Sequence, residues 1–536
     1  MNQPLSTPQR PAYAPTAQVA TWATVSLMAL PWLNPFTSGP NSTVLPVLVS
    51  WACIAALLLW WSALVITPQQ RLRSVALAWA TAACANALLG LLQYVDISRD
   101  WAPWVNQPGL GQAFGNLRQR NQFASLCTMG VCTLAWWAQQ RGSQTARAGA
   151  WGLLALGALL GAASAASGSR TGLLQLVLLL VLVLVWRRAS GALTPAPPRW
   201  PLSLLVVALV AYVLAALVLP GLAGVDGSVF GRLNETSAQC TSRLNLWRNV
   251  LYLVAQKPLL GWGWEGLKYA HFITLYDVPW AGLRFCAILD NAHNLPLHLA
   301  VELGVPLALA AVLTLGAWLW RQQPWRETVP ERQLAWTVLG AIGVHSLLEY
   351  PLWYGPFQLA VLLCLWVLRT FPAEVGASDA AAGHALADLR STGARATRWG
   401  RSAAAAAGVI ALALAAAAHS YWRVSQPYLV PGERAPAYRM LAWDSLRSTW
   451  LFAQQVEFAE LALTPVTAQS APHLWALGLQ VLHFSPEPMV LQKLLHSGQL
   501  LGYDADVAFY ARRFAAAYPD DYARWVQANC QHRGCP

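Results

Sequence analysis

The sequence predicts an all-α, many-pass membrane protein carrying a helical C-terminal domain outside the membrane. Three observations predict it. The 536 residues are 56% hydrophobic and only 11% charged, against about a quarter charged in soluble domains. Mean hydropathy is +0.40. Apolar stretches of roughly 20 residues, the length that crosses a bilayer, recur along the chain, and alternate loops between them hold most of the Lys and Arg. The net charge of +12 therefore reads as topology rather than as a nucleic-acid surface.

About eleven spans are expected, at 20–36, 44–66, 74–95, 121–139, 149–167, 171–187, 201–221, 293–320, 333–348, 351–369 and 403–423. Residues 1–19 form a Pro-, Gln- and Thr-rich cytoplasmic tail without the basic start and small-residue cleavage site of a signal peptide. Basic loops at Arg71 and Arg73, Arg141 and Arg147, Arg187, Arg188 and Arg199, Arg321 to Arg332, and Arg369 to Arg401 all fall inside if the N-terminus is inside. The catalytic membrane region is then 20–369, 370–402 is an Ala-rich mobile cytoplasmic linker, and 403–423 is the last span.

The opposite, external side receives 96–120, a tight SGSRTG turn, a long loop 222–292, a break at HSLLEYPLWYG, and a helical domain over 424–536. Within the loop, Leu244, Trp247, Val250, Leu251 and Val254 recur at helical spacing before Pro258 and the GWGWEG glycines. That is an amphipathic helix along the membrane surface. The phrase ADVAFYARRFAAAYPDDYARW has the character of a tetratricopeptide-like hairpin, one match being too few for a repeat array. The nine cysteines show no metal-binding spacing. Cys53, Cys84, Cys127, Cys132 and Cys364 lie in spans as inert thiols. Cys240 with Cys286, and Cys530 with Cys535, would be disulfides if their segments face an oxidising compartment.

Arginines on the external side run against the positive-inside pattern and call for an anion. Arg118, Arg120, Arg170, Arg243 and Arg248 come from separate segments, as a clamp for a lipid-linked pyrophosphate requires, and guanidinium matches phosphate oxygens in pairs. Headgroup or carboxylate pairing is the plainer reading, and it has equal weight for Arg248. His293, between Asn291 and Asn294, begins an apolar helix. It is suited to accept a proton from a hydroxyl, although on the residues alone a helix-capping role is the stronger reading. His298 and Glu302 read as packed or paired helix residues. Pro351 breaks an apolar run so that Glu349, Tyr350 and Tyr354 line a cavity or form a plain interfacial turn.

Together, RQRNQFA, SGSRTG, SRLNLW…KPLLGWGWEG, AHN and HSLLEYPLWY, in this order over residues 110–360, resemble the O-antigen ligase/polymerase superfamily. Within it they are most like the PglL/PilO-type bacterial O-oligosaccharyltransferases. The resemblance implies a GT-C-like enzyme of the inner membrane, working on the periplasmic side without metal or cofactor. Its donor would be an undecaprenyl-pyrophosphate-linked glycan, and its acceptor a Ser/Thr hydroxyl of a pilin-like protein or a lipid A core. It turns the balance at His293 toward catalysis and marks Gln119 and Tyr350 as partners. Arg118, Arg120, Asn121, Arg170, Arg243, Arg248, Asn294 and Glu349 would bind substrate. Where the family often has His, this chain has Gln122. A lipid-glycan transporter, which predicts polar residues through span centres and paired halves, and a non-catalytic assembly protein are the competing classes.

Overall fold

A computed structural model describes residues 17–37, 39–64, 66–140, 147–190, 200–225, 242–373 and 381–529. The described residues are helical, without strands. The first part of the bundle consists of α1 (Ala17–Leu33), α2 (Val44–Ala63), α3 (Pro68–Tyr94), α4 (Arg120–Gln140), α5 (Arg147–Ala166), α6 (Arg170–Ser190) and α7 (Trp200–Ala223). Small residues set the distances between them, as expected where lipid removes the hydrophobic drive to pack. A Cβ on Gly161 of α5 would stand 2.0 Å from the Ala208 carbonyl oxygen of α7, and one on Gly130 of α4 would stand 2.6 Å from the Ala83 methyl of α3. Some polar side chains pair across the bundle: Gln175 Nε2 donates to Ser125 Oγ (2.8 Å) and Ser125 Oγ meets His345 Nδ1 (2.9 Å).

The long loop after α7 holds α8 (Arg243–Gln256) and α9 (Leu267–Ile273). Next come α10 (Leu295–Leu303), α11 (Val305–Gln322), α12 (Pro330–Ser346), α13 (Gly355–Thr370) and α14 (Ala381–Ser425). Two expectations need correction. The span at 293–320 is broken at Gly304, whose φ is 88°. A Cβ there would lie 2.1 Å from the Leu259 carbonyl oxygen, so only glycine fits. The exposed backbone groups of the elbow are taken by the Pro258–Gly263 segment, with Val305 N donating to Pro258 O (2.8 Å) and Trp262 N to Val301 O (2.8 Å). The linker at 370–402 is also not separate from the last span. Its Ala-rich part, from Ala381, is continuous with α14, as high helix propensity dictates.

Seven of the eleven expected spans are, among the described residues, helices long and apolar enough to cross a membrane. They are α2, α3, α5, α6, α7, α11 and part of α14. Of the other expected spans, α1 and α12 have 17 residues and α13 has 16, short of about 20, while α4 carries too many polar side chains.

The C-terminal part is α15 (Trp443–Arg447), α16 (Ala453–Leu463), α17 (Ala471–Phe484), α18 (Pro488–Leu501), α19 (Asp504–Ala517) and α20 (Pro519–Asn529). From α15 to α20 each helix packs on the next. Their apolar core of Leu474, Val481, Leu491, Leu494 and Phe514 also takes in Phe272 of α9. Tyr269 stacks on His483 at 3.7 Å, and Arg513 Nε donates to the Ile273 carbonyl (2.8 Å). The loop carrying α9 and this domain thus share one core.

Candidate active site

Glu349 is where the separate segments meet. Pro351 stops α12 from continuing, and the last turn is closed by Glu349 N donating to His345 O (2.8 Å). This leaves the carboxylate buried, 5% exposed. Its Oε1 accepts from Arg243 Nη2 at the start of α8 and from Asn121 Nδ2 in the first turn of α4 (3.1 Å). Its Oε2 lies 2.6 Å from His293 Nδ1. Asn121 Oδ1 in turn accepts from Ser169 Oγ (2.6 Å), in the turn between α5 and α6. Five segments, counting that of Glu349 itself, therefore meet in one network, three bonding the carboxylate directly and the Ser169 turn through Asn121.

Local geometry fixes His293. Its backbone has φ 50°, and its N–H donates to Asn291 Oδ1 (2.8 Å). Trp247 Nε1 of α8 holds the preceding carbonyl, Ala292 O, at 3.1 Å. Asn294, not His293, caps α10. Its Oδ1 accepts from Leu297 N (3.0 Å) and its Nδ2 donates to Leu347 O (3.0 Å). The Tyr350 ring stands edge-on to His293 at 5.2 Å and stacks with Tyr354 at 5.9 Å. Glu302 is buried, its Oε2 3.6 Å from His298 Nε2 one turn earlier on α10.

Burial alone would raise the Glu349 pKa. The hydrogen bond and charge of His293, then Arg243 and His345, outweigh it and hold the carboxyl below its ordinary value. An ionised carboxylate only accepts, so the proton between the pair belongs on Nδ1. With that proton on Nδ1, an uncharged imidazole would present Nε2 as an acceptor, and no hydrogen bond occupies Nε2 among the described residues. A carboxylate that fixes the tautomer and would stabilise an imidazolium is the arrangement of a general base.

The expected clamp is only partly assembled. Arg243 is at the hub, and Arg170 opens α6 beside Ser169 with its side chain exposed. Arg118 is exposed and donates to Asn106 Oδ1 (3.1 Å) and Thr37 Oγ1 (2.5 Å), tying two loops together. Arg120 lies over the Phe114 ring at 5.7 Å, and Arg248 sits on the outer face of α8. Gln119 Oε1 accepts from Gln122 N (2.7 Å), a capping bond for α4, and Gln122 is buried behind it. Ser169 carries no signal of its own in SGSRTG, where the charge belongs to the neighbouring Arg170. Cys286 is disulfide-bonded; Cys240, Cys530 and Cys535 lie outside the described residues.

Three known families match successive parts of the chain. Residues 113–138 match one described as a protein glycosylation ligase. Residues 154–312 match an O-antigen ligase, and residues 333–532 a virulence-factor membrane-bound polymerase, C-terminal part. The first contains Gln119 and Asn121, the second Ser169, Arg243 and His293, the third Glu349 and Tyr350. A general O-oligosaccharyltransferase of Acinetobacter baylyi (strain ATCC 33305 / BD413 / ADP1) is 29% identical over 128 residues, which is 24% of this chain and 21% of that protein. The aligned stretch thus spans about a fifth of the relative.

Proposed function

We propose, from the resemblance to the O-antigen ligase/polymerase superfamily that these matches show, that the protein transfers a glycan from undecaprenyl pyrophosphate to a hydroxyl of a periplasmic, pilin-like protein. The meeting of five segments in the network around Glu349 carries the reading. His293 Nε2 takes the proton from the acceptor Ser/Thr hydroxyl as its oxygen attacks the anomeric carbon. The bond from that carbon to the pyrophosphate oxygen breaks, and the electron pair leaves with the pyrophosphate. Glu349 holds the imidazole and balances its new charge. Arg243 and Arg170, with Arg118, Arg120 and Arg248 along the same side, neutralise the leaving group, the kind of preorganised stabilisation that carries most of catalysis. A single displacement inverts the anomeric centre. Tyr350 and Asn294 shape the floor beside His293, and Gln119 sets the start of α4. In this reading α1, α4, α12 and α13 also cross the inner membrane, giving eleven passes in a GT-C-like frame with the C-terminal domain in the periplasm.

The test is co-expression with a lipid-linked glycan pathway and a candidate pilin, read by intact mass for wild type and His293→Ala. A glycan-sized increment on wild-type pilin that disappears in the variant is expected. Near-normal transfer by His293→Ala would falsify the general-base role. The matched ligase and polymerase families favour a second reading, with lipid A core or another glycan unit as acceptor. Glycan appearing on lipopolysaccharide while pilin stays unmodified would establish it.

A further inference from the structure

We infer that the turn between α8 and α9, Lys257–Trp264, is inserted in the bilayer leaflet on the His293 side and fixes the depth of the candidate site. Leu259 and Leu260 project from this turn with 71% and 85% of their surface exposed, and Trp264 with 65%. Leu251 continues the apolar surface onto the outer face of α8. Two leucines and a tryptophan held outward on one short turn expose apolar area that water alone would penalise. The occupant follows from the turn's attachment. Pro258 O accepts from Val305 N, the first residue of α11, and the Gly304 elbow packs on the Leu259 carbonyl.

The span at α11 is almost wholly unburied by protein, only 6% of its window being covered, so it faces lipid. Its 18 residues reach ~27 Å at 1.5 Å per residue, no more than the ~30 Å hydrocarbon thickness. With no length to spare, Val305 has to lie at the hydrocarbon edge, and the turn bonded to it lies at the same level. Lys257, its ammonium 4.0 Å from the Trp262 ring centroid, is placed to meet lipid phosphates while its stem stays apolar. Because α10 runs directly from this elbow back to Asn294, the turn sets the height of His293 above the acyl chains.

The inference does not need the proposed reaction to be right, and its test reads no activity. Leu260→Cys and, separately, Leu259→Cys are nitroxide-labelled in full-length protein in phospholipid nanodiscs, with Asp506→Cys on α19 as the water-facing reference. Unsubstituted protein reports labelling of native thiols. Collisions with oxygen are expected to exceed those with a polar nickel chelate at 259 and 260, with the order reversed at 506. Nickel accessibility at 259 and 260 matching that at 506 overturns the insertion. Protection from both reagents overturns it too, since the turn would then be covered by protein.

Discussion

At the scale of single residues, Glu349 separates two roles that its neighbours leave confused. Glu349→Gln keeps the shape and loses the charge. A base that depends on Glu349 for tautomer and charge balance is expected to lose about 100-fold or more in transfer rate, with protein level unchanged. A rate within a few-fold of wild type would assign the carboxylate to structure alone. Acid dependence follows from the lowered pKa of Glu349. The ionised group stabilises the fold above its unfolded value near 4.3 and ceases to as pH falls through the lower folded value. The melting-temperature gap between wild type and Glu349→Gln is therefore expected to hold at neutral pH and to close in acid. The types of residue were readable in the sequence, His293 and the arginines above all. Their ranking was not, because Asn121 and Glu349 are 228 positions apart and nothing local links them.

At the scale of elements, hydropathy found the helices but not their breaks. Residues 293–320 are apolar throughout, and the Gly304-Val305-Pro306 sequence was the only sign of an elbow. The elbow exists because a distant turn supplies its hydrogen bonds. Gly304→Ala puts a Cβ against the Leu259 carbonyl at a φ of 88°, and even one methyl is expected to lower the melting temperature and the transfer rate together. An unchanged melting temperature would mean that α10 and α11 can straighten into one helix. The helical period of α8 was legible but its buried face was not: of the expected apolar positions Val250 and Val254 are buried, while Leu244 and Leu251 are exposed. Its buried side, Leu246, Val250 and Leu253, packs on loop residues such as Leu289 and Ala292, so this face serves the protein core, and the outer face is left for other contacts.

At the scale of the whole molecule, the C-terminal domain is not an appendage. Phe272, from the loop helix α9, is fully buried in its core. Phe272→Ala is expected to cost about 3–5 kcal/mol in the loop-plus-domain unit, and removal of residues after 425 to expose α9 and slacken the segments carrying Arg243 and His293. Limited proteolysis of the two variants checks this, with early cleavage in 257–290 expected in both; wild-type resistance would show that the loop folds without the domain. Composition made the domain's helical character legible. Its docking was not, since one loop phenylalanine among many apolar residues carries no mark of its partner.

The five-way convergence also dictates when, during synthesis, the chemistry can begin. Asn121 leaves the ribosome early, the arginine and histidine later, and the carboxylate that collects them last of all. A nascent chain halted near position 300 already holds His293 and all five arginines of the expected clamp, but not the carboxylate that Asn121, Arg243 and His293 bond. On the proposed reading, a copy terminated before position 349 therefore lacks the group that aligns the others and is expected to transfer no glycan at the wild-type rate.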